Sequence, residues 1–175
     1  MLFAESFAAA DTPVAGRLCL PYDARRKSRQ RVTLTDGQQF GYLLPAGTVL
    51  RDGDRLLTGC GRAVVVEAAP EALLEVRAAD SFQLMRAAYH LGNRHVAVEV
   101  RTTALRLQRD HVLAEMLVGL GCTLVEVEAP FAPEGGAYGA QAHGGSAPAA
   151  DDHHHSPHDP GHGAHRSPAR IHEFK

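Results

Sequence analysis

The sequence predicts two compact units and a tail. The expected fold class is a small all-β N-terminal domain over residues 1–70, an α+β ferredoxin-like (βαββαβ) domain over 71–138, and a disordered His-rich tail over 139–175. Three observations predict it. Up to about residue 70, short apolar segments are punctuated by turn residues and helical periodicity is absent. From about residue 71, strand-like alternation and helical spacing follow in the order strand, helix, strand, strand, helix, strand. From Tyr138 onward Gly, Ala, Pro, Ser, His and Asp dominate, and such a segment buries too little apolar surface to offset the entropy of ordering its backbone.

In the first unit, "RVTLTDGQQFGYLLPAGTVLRDGDRLLTGCGRAVVVEAA" carries Asp36-Gly37, Pro45-Ala46-Gly47 and Asp52-Gly53-Asp54 between apolar runs. These are turn residues for stated reasons: Gly tolerates a left-handed backbone, and Asp side chains bond their own main chain. The basic run "ARRKSRQR" at 24–31 precedes a strand expected at Arg31 to Thr35. A solvated edge or turn is the simplest reading, since charged edges resist sheet-to-sheet pairing. A docking surface for an acidic partner is the other.

In the second unit, "EALLEVRA" reads as a strand. "DSFQLMRAAYHLG" reads as a helix capped by Asp80, with Phe82, Met85 and Tyr89 at i, i+3, i+7 as its apolar stripe. Gly92 and Asn93 are the residue types that best tolerate the left-handed conformation closing a helix. "HVAVEVR" follows as a strand, with His95 on the Ala97 and Glu99 side. "ALRLQ" is a short strand, "DHVLAEMLVGLG" a helix capped by Asp110 and closed by Gly121, and "CTLVEVEA" a last alternating strand. Residues 133–139 read as an irregular connector.

Bulk properties narrow the functional classes. The 18 basic and 20 acidic residues nearly balance, so nothing global points to nucleic acid or a membrane as partner. Cys19, Cys60 and Cys122 are far apart and form no CxxC pair, which suggests neither a disulfide framework nor a thiolate zinc site. The N-terminus has acidic residues and no basic leader, and no run of about 18 apolar residues exists; a cytoplasmic location is expected. An enzyme is not expected, because no HExxH, nucleophile elbow or phosphate-binding glycine loop occurs. Glu99 and Glu115 read as single carboxylates on solvated faces.

Eleven histidines are the compositional anomaly. Eight are in the tail, at His143, His153, His154, His155, His158, His162, His165 and His172, interleaved with Asp151, Asp152 and Asp159. Neutral imidazole favours late divalent ions such as Ni²⁺, Cu²⁺ and Zn²⁺, and several on one flexible chain give a high local ligand concentration. The tail is therefore expected to capture metal loosely. Within the fold, His90 reads as an ordinary packed or surface residue. His95 alone makes a weak site, unless a two-fold axis duplicates it and so supplies two ligands to one ion. His111, beside the Asp110 cap, reads either as an exposed neighbour or as a peripheral ligand. Imidazole must lose its proton to coordinate, so metal affinity should fall as pH drops through roughly 6.5.

These residues carry a resemblance. "RVTLTDGQQFGYLLPAGTVLRDGDRLL", "GNRHVAVEV" and "RDHVLAEMLVGLGCTLVEVEAPFAPEGGAYG", in that order and followed by a His-rich tail, resemble the UreE family of urease accessory proteins. The resemblance covers nearly the whole chain. It implies a peptide-binding-like β domain, a ferredoxin-like metal-binding domain, and a homodimer in which His95 meets its symmetry mate around one Ni²⁺. It also implies delivery of nickel to apo-urease with other urease accessory proteins, a GTPase among them. His111 matches a histidine that forms a peripheral site in some members, where the position two residues earlier is also histidine. Here that position is Arg109, a permanent cation that cannot coordinate. The choice of nickel over Zn²⁺ or Cu²⁺ rests on the resemblance alone. Two other readings remain: a histidine-rich metal storage or detoxification protein without a dedicated recipient, and a peptide-binding or assembly module of the β domain.

Overall fold

Six strands from the first seventy residues assemble into one mixed sheet: β1 (Leu2–Phe7), β2 (Val14–Leu20), β3 (Arg29–Thr33), β4 (Gln39–Leu43), β5 (Arg55–Thr58) and β6 (Ala63–Ala68). This is a computed structural model, and it describes residues 2–135. The strand order is β2-β6-β5-β1-β4-β3. Pairs β1/β4 and β2/β6 run parallel, and the others antiparallel. Alternation dictates the inner face: Leu18, Phe40, Tyr42, Leu56, Val64 and Val66 are buried together, with Leu50 from a loop. Strand β3, which carries the end of the basic run, is an edge strand as its charge suggests. The Asp residues at the turns act locally: Asp36 accepts from the Gln38 N–H at 3.0 Å and Asp54 from the Arg51 N–H at 2.7 Å.

The basic run departs from expectation at its start. Tyr22–Arg25 forms a one-turn helix, α1, and Arg25 is 3% exposed rather than solvated. Its guanidinium donates to the carbonyls of Leu20 at 3.3 Å and Leu50 at 3.2 Å, and to that of Phe131, far along the chain. The neighbouring Tyr22 ring meets the Phe131 ring edge-on at 5.3 Å, and the Tyr22 N–H donates to Glu71 at 2.6 Å.

The second sheet comprises β7 (Pro70–Arg77), β8 (Glu99–Val100), β9 (Leu105–Gln108) and β10 (Thr123–Pro130), all antiparallel, in the order β10-β7-β9-β8. Helix α2 (Ser81–Gly92) joins β7 to β8, and α3 (His111–Gly119) joins β9 to β10. The order is strand, helix, strand, strand, helix, strand. Both helices start as the sequence predicts. Asp80 caps α2 by accepting from the Gln83 N–H at 2.8 Å, and Asp110 caps α3 by accepting from the Leu113 N–H at 2.9 Å. Leu74, Val76, Leu105 and Leu107 of the sheet pack against Ala87, Leu91 and Leu117 of the helices.

Three expectations for this unit are revised. The strand after α2 is only Glu99–Val100; residues 96–98 join no strand ladder, and the Val98 carbonyl accepts from the Glu134 N–H at 2.8 Å. The stripe Phe82, Met85 and Tyr89 faces outward, at 65%, 62% and 64% exposure, because the smaller row Leu84, Ala87, Ala88 and Leu91 takes the sheet side. Glu99 is half-buried rather than solvated, accepting from Arg101 at 2.8 Å and from the Ala132 N–H at 3.1 Å.

The sheet face away from the helices holds an ionic layer. Glu75 is 6% exposed. One of its oxygens accepts from Arg77 at 2.9 and 2.6 Å, and the other from Arg106 at 2.9 and 2.7 Å. Such forked guanidinium contacts are the strong kind of charged hydrogen bond. They hold the Glu75 carboxyl below the usual glutamate range, Arg77 contributing most and Arg106 next.

Candidate metal centre

His95 owes its place to the way α2 ends. The Asn93 and Arg94 N–H groups continue the helical bonding pattern to Tyr89 and Leu91, each at 3.0 Å. Then the His95 N–H donates to the Gly92 carbonyl at 3.0 Å, and the Val96 N–H to the Leu91 carbonyl at 3.3 Å. That pair of bonds is a Schellman closure, in which the residue after the cap adopts a left-handed backbone. His95 itself is that residue, with φ 54°. The sequence placed the left-handed turn at Gly92 or Asn93; in fact Asn93 is right-handed, and the turn comes at the histidine. Among the described residues His95 is the one non-glycine with positive φ. It is exposed and lies in a turn instead of belonging to a strand.

Helix α3 shows what ordinarily fills this position. The Gly121 N–H donates to Val118 at 2.8 Å and the Cys122 N–H to Leu117 at 3.0 Å, the same two bonds. There the left-handed residue is Gly121, φ 84°, the residue type with no Cβ penalty.

A cleft of ≈ 590 Å³ lies beside His95. It is lined by Tyr22 and Arg26 from the α1 segment, Arg109, Asp110 and Leu113 from the start of α3, and Glu134. His111 is the first residue of α3 and is exposed. Arg109, two residues before it, forms an ion pair with Glu126 of β10. His90, in the last turn of α2, meets the Tyr89 ring edge-on at 5.4 Å. Within one chain, the described residues bring no three of His, Cys, Asp or Glu together around a common point. The tail histidines 143, 153, 154, 155, 158, 162, 165 and 172 lie outside the described residues.

The sequence marked Phe82, Met85 and Tyr89 as the apolar stripe of α2 but not that it faces outward. The outward row Phe82, Met85, Tyr89 climbs the same helix that presents His95. Its signal was present, since α2 carries two apolar rows, and two rows on one helix mean two packing faces.

Comparison with known proteins agrees with this architecture. The family model described as UreE urease accessory protein, N-terminal domain, matches residues 4–69, and that described as UreE urease accessory protein, C-terminal domain, matches residues 71–166. The chain is 50% identical over 163 residues to the urease accessory protein UreE of Dechloromonas aromatica, covering 90% of each chain. It is 54% identical over 140 residues to those of Burkholderia orbicola and Burkholderia lata, covering 79% of this chain and 69% and 68% of theirs. Two adjoining family matches that together span most of the chain, and relatives at this identity, make it a member of the UreE family of urease accessory proteins.

Proposed function

We propose that this chain is a nickel metallochaperone for urease maturation, acting as a homodimer in which His95 of two subunits grips one Ni²⁺. The observation that carries the reading is His95 itself: an exposed imidazole in a backbone conformation that favours glycine. Non-glycine residues persist in such conformations where the surrounding structure holds them, and they cluster at functional sites. The outward row Phe82, Met85, Tyr89 supports the dimer, since contiguous large apolar side chains on a surface mark an interface. A two-fold axis near the end of α2 would bring both rows and both imidazoles together.

We read the split βαββαβ unit as a ferredoxin-like scaffold: a rigid sheet-and-helix layer that fixes the end of α2. The tail histidines supply further imidazoles, and His111 is a weaker peripheral ligand because Arg109, two residues before it, cannot coordinate. A carrier of this design holds the ion through two fixed ligands and completes its shell with others that leave first. That opens coordination positions for a recipient, here the urease apoprotein reached through other accessory proteins including a GTPase. The role is delivery rather than catalysis, in the cytoplasm. No helix among the described residues is long and apolar enough to cross a membrane. Zn²⁺ and Cu²⁺ suit the same ligands.

Nickel titration by calorimetry, with mass determination, on a chain ending near Tyr138 tests the reading. One ion per dimer is expected, and none in the His95→Ala variant. A storage protein would instead lose all tight binding with the tail, and an assembly module would have no stoichiometric site to lose.

A further inference from the structure

We infer that Leu91 and Val96 are positioning residues for the metal ligand: their paired closure of α2 fixes the backbone of His95 before any ion arrives. This inference rests on the proposed role of His95 and adds to it the means by which one chain presents the imidazole.

The argument starts from the two helix ends. Both close with the same bond pair, from the left-handed residue C′ (His95, Gly121) to C2 (Gly92, Val118) and from the next residue C″ to C3 (Leu91, Leu117), and both place a buried or half-buried apolar residue at C″: Val96 after α2, Cys122 after α3. A Schellman closure is commonly accompanied by an apolar contact between C″ and the last turn of the helix. Val96 packs against the cluster that contains Leu91, and Leu91 is fully buried. So the Leu91 carbonyl receives the Val96 N–H while the two side chains belong to one core. Between these anchors lie the cap residues and His95.

At α3 the left-handed slot is filled by glycine, which needs no help to adopt it. At α2 it is filled by histidine, for which the left-handed region is an uphill choice. Something must hold it there. The bonds on both sides of the residue and the burial of Val96 are the forces available. A ligand whose backbone is fixed in advance loses less freedom on binding an ion, which is the general advantage of preorganisation. Two copies facing each other across an axis would each benefit. Relaxing the closure should therefore weaken nickel binding without removing a ligand.

The test uses the full-length protein. Val96→Thr replaces a methyl by a hydroxyl at C″, Val96→Ile keeps the apolar contact, and Val96→Ala serves if the threonine variant folds poorly. Cys122→Ser makes the equivalent change at the closure of α3, which carries no metal ligand. Thermal midpoints and dimer mass are recorded for each variant, and nickel affinity is measured well below the lowest midpoint. We expect Val96→Thr to weaken the nickel site about tenfold, the scale seen when residues that orient a ligand are changed, with unchanged stoichiometry. Val96→Ile should restore it and Cys122→Ser should leave it unchanged. Parent-like affinity in Val96→Thr and Val96→Ala, or an equal loss in Cys122→Ser, would overturn the inference while leaving His95 as a ligand. Stoichiometric nickel binding that survived His95→Ala would remove the proposed function, and the inference with it.

Discussion

His95 and Gly121 occupy equivalent slots at the ends of α2 and α3, and the contrast between them gives a direct prediction. Replacing His95 by glycine relieves a left-handed conformation that costs an L-residue about 1–2 kcal/mol. Glycine returns part of that gain through extra freedom in the unfolded chain, about 0.4–1 kcal/mol. His95→Gly should therefore leave the thermal midpoint unchanged or raise it, the opposite of the usual result for glycine. A clear fall in midpoint would refute the assignment of strain. Gly121→Ala should destabilise, since its Cβ would come within 2.4 Å of the Gln83 amide nitrogen as well as sitting at positive φ. The thiols offer a second check at this scale. Cys19 and Cys60 are exposed and Cys122 is buried, and burial pushes the Cys122 thiol up. Alkylation near neutral pH should label the first two well before Cys122, because the thiolate is the reactive form. The sequence made His95 legible as a candidate ligand but misplaced its backbone. Gly92 and Asn93 are better left-handed formers, and composition alone does not show that a right-handed turn through Asn93 and Arg94 comes before the left-handed residue.

At the scale of elements, the caps Asp80 and Asp110, the turns, and the strand-helix order were all legible, because each rests on local chemistry or on a short repeat. The orientation of α2 was not. Phe82, Met85 and Tyr89 are the larger apolar residues, so they look like the core row, yet close packing on the sheet selects the row with Ala87 and Ala88. The ionic layer was equally hidden, since it depends on register: Glu75 pairs across to Arg106, which pairs across to Glu99. Because Glu75 titrates below the ordinary glutamate value in the native protein, its contribution to stability is complete above the unfolded glutamate value of about 4.3. It is lost as pH falls through the lowered native value. Glu75→Gln should cost about 1–2 kcal/mol at neutral pH, the scale of losing charged hydrogen bonds to partly exposed partners. It should also flatten the acid limb of a stability-versus-pH curve. An acid limb identical to the parent's would show that Glu75 does not couple to folding.

Across the whole molecule, the outward row of α2 and the Arg25 joint are the features that act beyond a single element. Phe82, Met85 and Tyr89 are already exposed in one chain, so polar substitution there should change subunit stability by no more than about 0.5 kcal/mol. If the row forms the dimer interface, Met85→Glu should nonetheless shift the mass measured by light scattering to that of a monomer. A variant that stayed dimeric would move the interface elsewhere. Arg25 ties the segment after β2 to the segment after β10 through three main-chain carbonyls, and nothing in "ARRKSRQR" distinguishes it from its solvated neighbours. Its acceptors are neutral amide oxygens, which neither gain nor lose protons in ordinary buffers. Acidification should therefore disassemble the protein unevenly: the carboxylate-bound outer face of the second sheet gives way first, while the segment after β2 stays fastened to Phe131.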